Sequence, residues 1–261
     1  MVRRAGVLGS PIAHSRSPQL HLAAYRALGL SDWTYDRIEC TAAQLPSVVS
    51  GFGPEWVGVS VTMPGKLAAL QFAEQRTDRA GLVGTANTLV RTDTGWLADN
   101  TDVDGVAGAL GTAVGPGARA VVVGSGGTAP AAVVALAELG VAELAVTARS
   151  SERAAPLLAL ARKCGLRAEF IELGGPLGAV DAVVSTIPAA AAADHTATLA
   201  GTPLLLDAIY DPWPTPLAQA VEASGGRVVS GLQMLLNQAY AQVELFTGMP
   251  APEEVMRAAL G

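Results

Sequence analysis

The chain has 261 residues, half of them apolar, and a net charge of −6 with no basic stripe. That is length for two small domains or one large one, and the charge excludes a nucleic-acid surface, which needs clustered Lys and Arg. Cys40, Cys164, His14, His21 and His195 show neither disulfide nor metal spacing, no metal is expected, and no apolar run reaches the roughly eighteen residues of a membrane span.

The start, with Arg3 and Arg4 before a short apolar run, has too little apolar length for a signal peptide, so a cytoplasmic protein is expected. Residues 5–9, AGVLG, read as a strand. Ser17 before Pro18 reads as a helix start, serine at the N-cap and proline at the first helical position, with the helix stopping at Gly29. Ser15 and Ser17 together also make a carboxylate receptor beside a helix N-terminus; on spacing alone the cap reading comes first.

Trp33 to Glu39 reads as a second strand, and Thr41 with Gln44 as a capping box for a short helix through Val49. Trp56 to Thr62 is a third strand, breaking into Met63-Pro64-Gly65-Lys66. A loop at the carboxyl end of a strand is where α/β proteins place ligands, which singles out Lys66 from ordinary surface lysines. Residues 82–90, LVGTANTLV, lead into a hairpin with its turn at Asp93-Thr94-Gly95. A helix then opens near Asp102, with Thr101 as its cap; an acid in a first helical turn is favoured by the dipole.

Ala120 to Arg149 reads AVVVGSGGTAPAAVVALAELGVAELAVTAR. This is strand, glycine turn, helix, strand, the order of a dinucleotide site. Gly124 allows the tight turn, Gly126 lets the backbone approach a pyrophosphate, and Gly127 with Ser125 completes the loop. Free N–H groups and the helix dipole then face the phosphates. No acid stands at the end of the second strand to hold a ribose 2′-hydroxyl. Arg149, Ser150 and Arg153 stand there instead, donors suited to a 2′-phosphate, so NADP is expected over NAD. Glu152 in the same loop is a competitor for either arginine. The remaining alternation of strands and helices implies mostly parallel sheets with right-handed crossovers.

HSRSP (14–18), SVTMPGK (60–66), GTANTLV (84–90), DNTDVDG (99–105), GSGGTAPA (124–131) and GLQMLLNQA (231–239) occur in that order. In this set the chain resembles the shikimate dehydrogenase family, over nearly its whole length. The resemblance implies a two-domain α/β fold with a cleft between the domains. A substrate domain, residues 1–103, is completed by C-terminal helices at 232–261, and a Rossmann-like NADP domain spans 104–231. It implies reversible NADPH-dependent reduction of 3-dehydroshikimate to shikimate, in the biosynthesis of chorismate and the aromatic amino acids. Ser15 and Ser17 match the serines that bind the substrate carboxylate. Thr62, Asn87 and Gln238 match positions that hold ring hydroxyls, with Tyr210 nearby. Lys66 and Asp102 match the catalytic pair. Gly124 to Gly127 with Arg149, Ser150 and Arg153 match the cofactor loop and phosphate clamp, and Gly231 and Met234 match positions beside the nicotinamide.

Four positions depart from the family pattern: Ser60 stands where Asn is frequent, Ala148 and Ser150 where the adenosine loop usually has Asn and Thr, and Pro130 where Arg is frequent. Ser60 is shorter and reaches a substrate differently, Ala148 removes an amide contact, and Pro130 removes a phosphate contact. The expected partners are small molecules, with the chain a monomer or homodimer. Two rivals stand beside the main reading. One is a quinate/shikimate dehydrogenase using NAD, opposed by the missing acid. The other is a non-catalytic NADP-binding protein, opposed by the intact Lys66 and Asp102.

Overall fold

In the first part of the chain the short apolar runs become strands and the segments between them helices: β1 (Arg3–Gly9), α1 (Ser17–Ala27), β2 (Trp33–Glu39), α2 (Leu45–Ser50), β3 (Trp56–Val61), α3 (Lys66–Phe72), β4 (Gln75–Arg76), α4 (Asp78–Val83), β5 (Thr88–Thr92) and β6 (Gly95–Asp99). The computed structural model describes residues 2–261. They form two units, one of the residues up to Thr101 together with Leu235–Gly261, the other Asp102–Met234.

The sheet of the first unit has strand order β2-β1-β3-β5-β6-β4. β1 lies between two parallel neighbours and is buried continuously from Ala5 to Gly9, as a central strand covered on both faces must be. β5 and β6 are joined by a hairpin, which can only make them antiparallel, and β5 also runs antiparallel to β3. That register sets Ser60 opposite Thr88 and brings the Asn87 carbonyl to the Val61 N–H at 2.6 Å. Leu8, Leu45, Trp56, Val59, Leu89 and Trp96 fill the core on one side.

Two local readings change. α1 begins at Ser17 itself; Arg16 holds the N-cap position and no side chain caps the helix. Ser17 is therefore inside the first turn, and its hydroxyl is used elsewhere. The Thr41–Gln44 box forms by half: Gln44 Oε1 accepts from the Thr41 N–H at 3.0 Å and from its hydroxyl at 2.9 Å, while the helix proper starts at Leu45. β4 and α4 have no counterpart in the sequence reading. α4 is capped by Thr77, whose hydroxyl accepts from the Ala80 N–H, and closed by Gly84 in the left-handed region.

The second unit contains α5 (Asp102–Leu110), a 3-10 turn at Gly111–Ala113, β7 (Arg119–Val123), α6 (Ala129–Glu138), β8 (Glu143–Ala148), α7 (Ser151–Lys163), β9 (Arg167–Glu172), β10 (Ala182–Ser185), α8 (Ala189–Ala193), α9 (Thr196–Leu199), β11 (Leu204–Asp207), α10 (Pro216–Ala223) and β12 (Arg227–Ser230). Its sheet is wholly parallel, in the order β12-β11-β10-β7-β8-β9. The order reverses beside β7, the doubly wound arrangement whose ligand crevice lies outside the carboxyl ends at that reversal. Val121, Val123, Val183, Leu205 and Leu217 are fully buried there.

α11 (Gly231–Thr247) and α12 (Glu253–Ala258) end the chain. In the first unit α12 packs on α1, where the Arg16 guanidinium donates to the Leu260 carbonyl at 2.9 Å and the Gln19 amide to the Ala259 carbonyl. Among the described residues no helix is long and apolar enough to cross a membrane.

Candidate active site

The first unit holds a cluster of buried polar side chains at the carboxyl end of β3 and the start of β5. Asn87 is its centre and is 3% exposed. Its Oδ1 accepts from the Thr101 N–H at 2.7 Å and from the Thr88 hydroxyl at 2.8 Å. Its Nδ2 donates to Thr101 Oγ1 at 3.0 Å and lies 3.4 Å from Gln238 Oε1. Gln238 is anchored in turn by its Nε2 on the Leu235 carbonyl at 2.8 Å. Asn87 and Gln238, matched separately from two distant motifs, thus stand side by side. Buried amides are held this firmly only where their donors and acceptors are matched.

Lys66 opens α3, and its carbonyl accepts from the Ala86 N–H at 3.0 Å, so the lysine loop is tied to the residue before Asn87. Lys66 and Thr62 are half-buried. Asp102, 6% exposed, opens α5 one peptide bond after Thr101. The approach to it is fixed by Asp99. Its carboxylate takes the Arg79 guanidinium in a two-pronged bond at 2.8 and 2.6 Å, the Thr77 hydroxyl at 2.6 Å and the Asn100 N–H at 2.8 Å. Burial pushes the Asp99 carboxyl up, but the bonds from Arg79, Thr77 and Asn100, with the Arg79 charge, outweigh it and hold the group below the usual range.

Ser17 is buried and Ser15 half-buried, with Ser15 Oγ accepting from the Ser17 N–H at 3.3 Å. The Ser15 carbonyl is gripped by Arg37 at 2.9 and 2.6 Å. The Tyr35 phenol lies 2.6 Å from Ser60 Oγ and is also influenced by the Ser17 hydroxyl. Burial pushes the Tyr35 phenol up, against the two serine hydroxyls. Ser60 donates to Gln242 Oε1 at 2.7 Å. It is engaged on both sides by protein, which is how the chain accommodates a serine where the family pattern has asparagine.

His21, fully buried, stacks on Tyr35 at 4.0 Å and approaches Gln242 Oε1 through Nε2 at 3.3 Å. Burial lowers its pKa to about 3, only partly opposed by the Gln242 bond. An unfolded histidine titrates near 6.5, so between those values the unfolded chain binds the extra proton and stability falls as pH falls. Urea unfolding followed from pH 6.5 to 5, above the carboxylate range, should lose about 1.4 kcal/mol per pH unit once below the unfolded value. A flat profile over that window would contradict a neutral, buried His21.

In the second unit the loops after β7 and β8 lie on neighbouring strands, joined by the Gly124 N–H on the Thr147 carbonyl at 2.8 Å. Gly124 has φ +105°, and a Cβ there would come within 2.6 Å of Ile187 and 2.8 Å of Thr186 Oγ1, so only glycine fits. A Cβ on Gly126 would meet nothing within 4 Å. No protein group fills the space in front of it, and Ser125, Gly126 and Gly127 are exposed. α6 then begins with proline in its first turn. Arg149 and Arg153 are exposed, and Ser150 caps α7, accepting from the Arg153 N–H at 3.5 Å. The Glu152 carboxylate takes bonds from its own N–H and from Ser150 and Ser151, and sits low for that reason. Among the described residues it forms no ion pair with either arginine. An anion-binding edge with open backbone and two cations fits a phosphorylated dinucleotide.

Tyr210 lies half-buried in the loop after β11. That loop is anchored by Asp207, which accepts from the Thr215 hydroxyl at 2.7 Å and the Ile209 N–H at 3.1 Å; burial pushes its carboxyl up against these bonds. Gly231, the first residue of α11, has a packing reason of its own, since a Cβ would run into the Ala208 carbonyl. Met234 is buried.

Sequence reasoning passed over Tyr35, Thr88, Gln242, Arg79 and Asp99. Gln242 alone had a local signal: it lies one helical turn after Gln238, hence on the same face. The others are brought in by strand register and long-range bonding.

A family model described as the shikimate dehydrogenase substrate binding domain matches residues 7–89, and one described as the shikimate 5′-dehydrogenase C-terminal domain matches residues 231–260. A shikimate dehydrogenase (NADP(+)) of Microcystis aeruginosa is 34% identical, over 98% of this chain and 95% of its own. The crystal structure of Mycobacterium tuberculosis shikimate dehydrogenase superposes with a TM-score of 0.94 at 67% identity, covering 99% of this chain and 98% of that one. A shikimate 5-dehydrogenase of Thermus thermophilus, solved in complex with NADP(H) and shikimate, superposes with a TM-score of 0.85 at 30% identity, covering 99% and 98%.

Proposed function

The chain belongs to the shikimate dehydrogenase family, and from that premise we propose that Lys66 and Asp102 are the proton-transfer pair of its reaction. The protein is an NADP-dependent oxidoreductase of aromatic biosynthesis that interconverts 3-dehydroshikimate and shikimate. NADPH, when bound, supplies the hydride.

As hydride reaches the carbonyl carbon, negative charge develops on its oxygen. The Lys66 ammonium stabilises that charge and gives up a proton to it; the Asp102 carboxylate orients the ammonium and relays a proton from solvent back to the lysine. In the reverse direction the pair takes the proton of the hydroxyl. Thr62, Asn87 and Gln238 hold the ring hydroxyls, Tyr210 is a further substrate-binding residue, and Ser15 and Ser17 take the carboxylate. These contacts fix the ring so that only one carbonyl face meets the donor. The observation that carries this reading is Asn87. The residue before it bonds Lys66, and its side chain bonds Thr101, the residue before Asp102.

Gly124 to Gly127 hold the pyrophosphate, and Arg149, Ser150 and Arg153 the 2′-phosphate. Gly231 and Met234 lie along the nicotinamide. Two measurements test the assignment. Shikimate offered with NADP, followed by the absorbance of reduced nicotinamide, should turn over far faster than quinate with NAD; the reverse order overturns the NADP clamp. Arg149→Ala should raise KM for NADP by about ten- to a hundredfold, the worth of a charge-assisted bond, and leave KM for NAD within about twofold. An equal loss for both cofactors would move the arginine out of the phosphate clamp.

A further inference from the structure

Gln242 is a heavily hydrogen-bonded group outside the residues already assigned, and it is fully inaccessible. It lies one turn after Gln238 on α11 and joins three other elements. Its Oε1 accepts from Ser60 on β3 at 2.7 Å and faces His21 Nε2 on α1 at 3.3 Å. Its Nε2 donates to Thr88 Oγ1 on β5 at 2.9 Å and lies 3.4 Å from the Asn87 carbonyl. A carbonyl oxygen only accepts, so the amide can sit in one orientation alone.

That orientation propagates. Thr88 Oγ1 accepts a hydrogen bond from the Gln242 amide and donates its own to Asn87 Oδ1, at 2.8 Å. With the Thr101 N–H on the same oxygen at 2.7 Å, the Asn87 carbonyl end is filled by protein donors. Its Nδ2 is turned the other way, toward Gln238 Oε1. On the helix, the grip of Ser60 and Thr88 on Gln242 sets the rotation of α11 that puts Gln238 beside Asn87.

We propose that Gln242 is a positioning residue for substrate recognition, locking Asn87 and Gln238 into one donor arrangement toward the ring hydroxyls. The proposal rests on the reading of Asn87 as a ring ligand. Gln242 touches no substrate itself; it acts through Thr88 and through the helix.

The test is a double-mutant cycle in the full chain. Gln242→Met keeps the shape and removes both functions of the amide. It should raise KM for shikimate about tenfold, the scale of one broken buried bond, with KM for NADP unchanged. In the Asn87→Ala background the same change should raise KM for shikimate by clearly less than about tenfold, because of the two groups being positioned only Gln238 is left. Circular dichroism and thermal melting accompany each variant. Should the methionine variant not fold, Thr88→Val carries the same cycle, since valine keeps the shape and has no hydroxyl to pass the Gln242 bond on to Asn87. A folded variant with wild-type KM, or effects that multiply in the double variant, overturns the positioning role. Asn87→Ala with unchanged KM instead overturns the reading of Asn87 on which it rests.

Discussion

Replacing Lys66 with alanine is expected to lower kcat for shikimate oxidation by about a hundred- to ten-thousandfold, with KM shifted by no more than about threefold. The motive is placement. Lys66 opens a helix at the carboxyl end of a buried strand, with its carbonyl on the Ala86 N–H, directly before Asn87. A group that gives a proton only as charge develops contributes to the transition state and little to the ground state, so the loss falls on kcat. Lys66→Arg should not restore the rate, because guanidinium holds its proton too tightly to transfer it. Retained binding of NADP in the alanine variant shows that the fold survives. A kcat within tenfold of wild type in such protein would remove Lys66 from the chemistry.

The second large effect is structural. Arg79→Met should destabilise the protein by about 3–5 kcal/mol, the cost of leaving a buried carboxylate without its partner. Asp99 is 4% exposed and Arg79 28%, so solvent cannot replace the guanidinium. The pH dependence gives the sign. In the wild type the Asp99 carboxyl is held below its ordinary value, so its contribution is complete above about pH 4 and is lost as pH falls through the folded value. In the variant only the Thr77 and Asn100 bonds still oppose burial, so the carboxyl rises from its wild-type position and the variant regains relative stability as pH falls. The gap in unfolding free energy should therefore be widest at neutral pH and narrow in acid. A gap independent of pH would mean that Arg79 acts through packing and not through the charge of Asp99. Activity should fall as well, since the Asp99–Asn100–Thr101 path leads directly into Asp102.

The nucleotide half was legible because its determinants are local. Gly124 marks a turn whose φ only glycine adopts easily, the flanking valines mark a buried strand, and the Thr215-Pro216 start of α10 is a working cap, with Thr215 accepting from the Ala218 N–H. Each is a matter of a few consecutive residues. Ser17 shows the limit of the same logic. Its sequence neighbourhood is that of a cap, yet the helix starts at Ser17 itself and the hydroxyl acts on Tyr35, a neighbour eighteen positions away that no local rule supplies. Glu152 shows it again: its proximity to two arginines suggested a pair, but the N-terminus of α7 offered it closer donors.

By itself the sequence determined the kind of elements, the glycine-dependent phosphate turn, the absence of an acid after β8, and the ordered motifs that identify the reaction. These follow from side-chain size, backbone freedom and charge within short windows. Only the tertiary structure decided which polar groups meet. The antiparallel pairing of β3 with β5 sets Ser60 against Thr88, and α11 returns to the first unit to lay Gln238 and Gln242 on Asn87 and Thr88. A buried amide must find its partners wherever the fold brings them, and those partners lie up to 221 positions apart, as between His21 and Gln242.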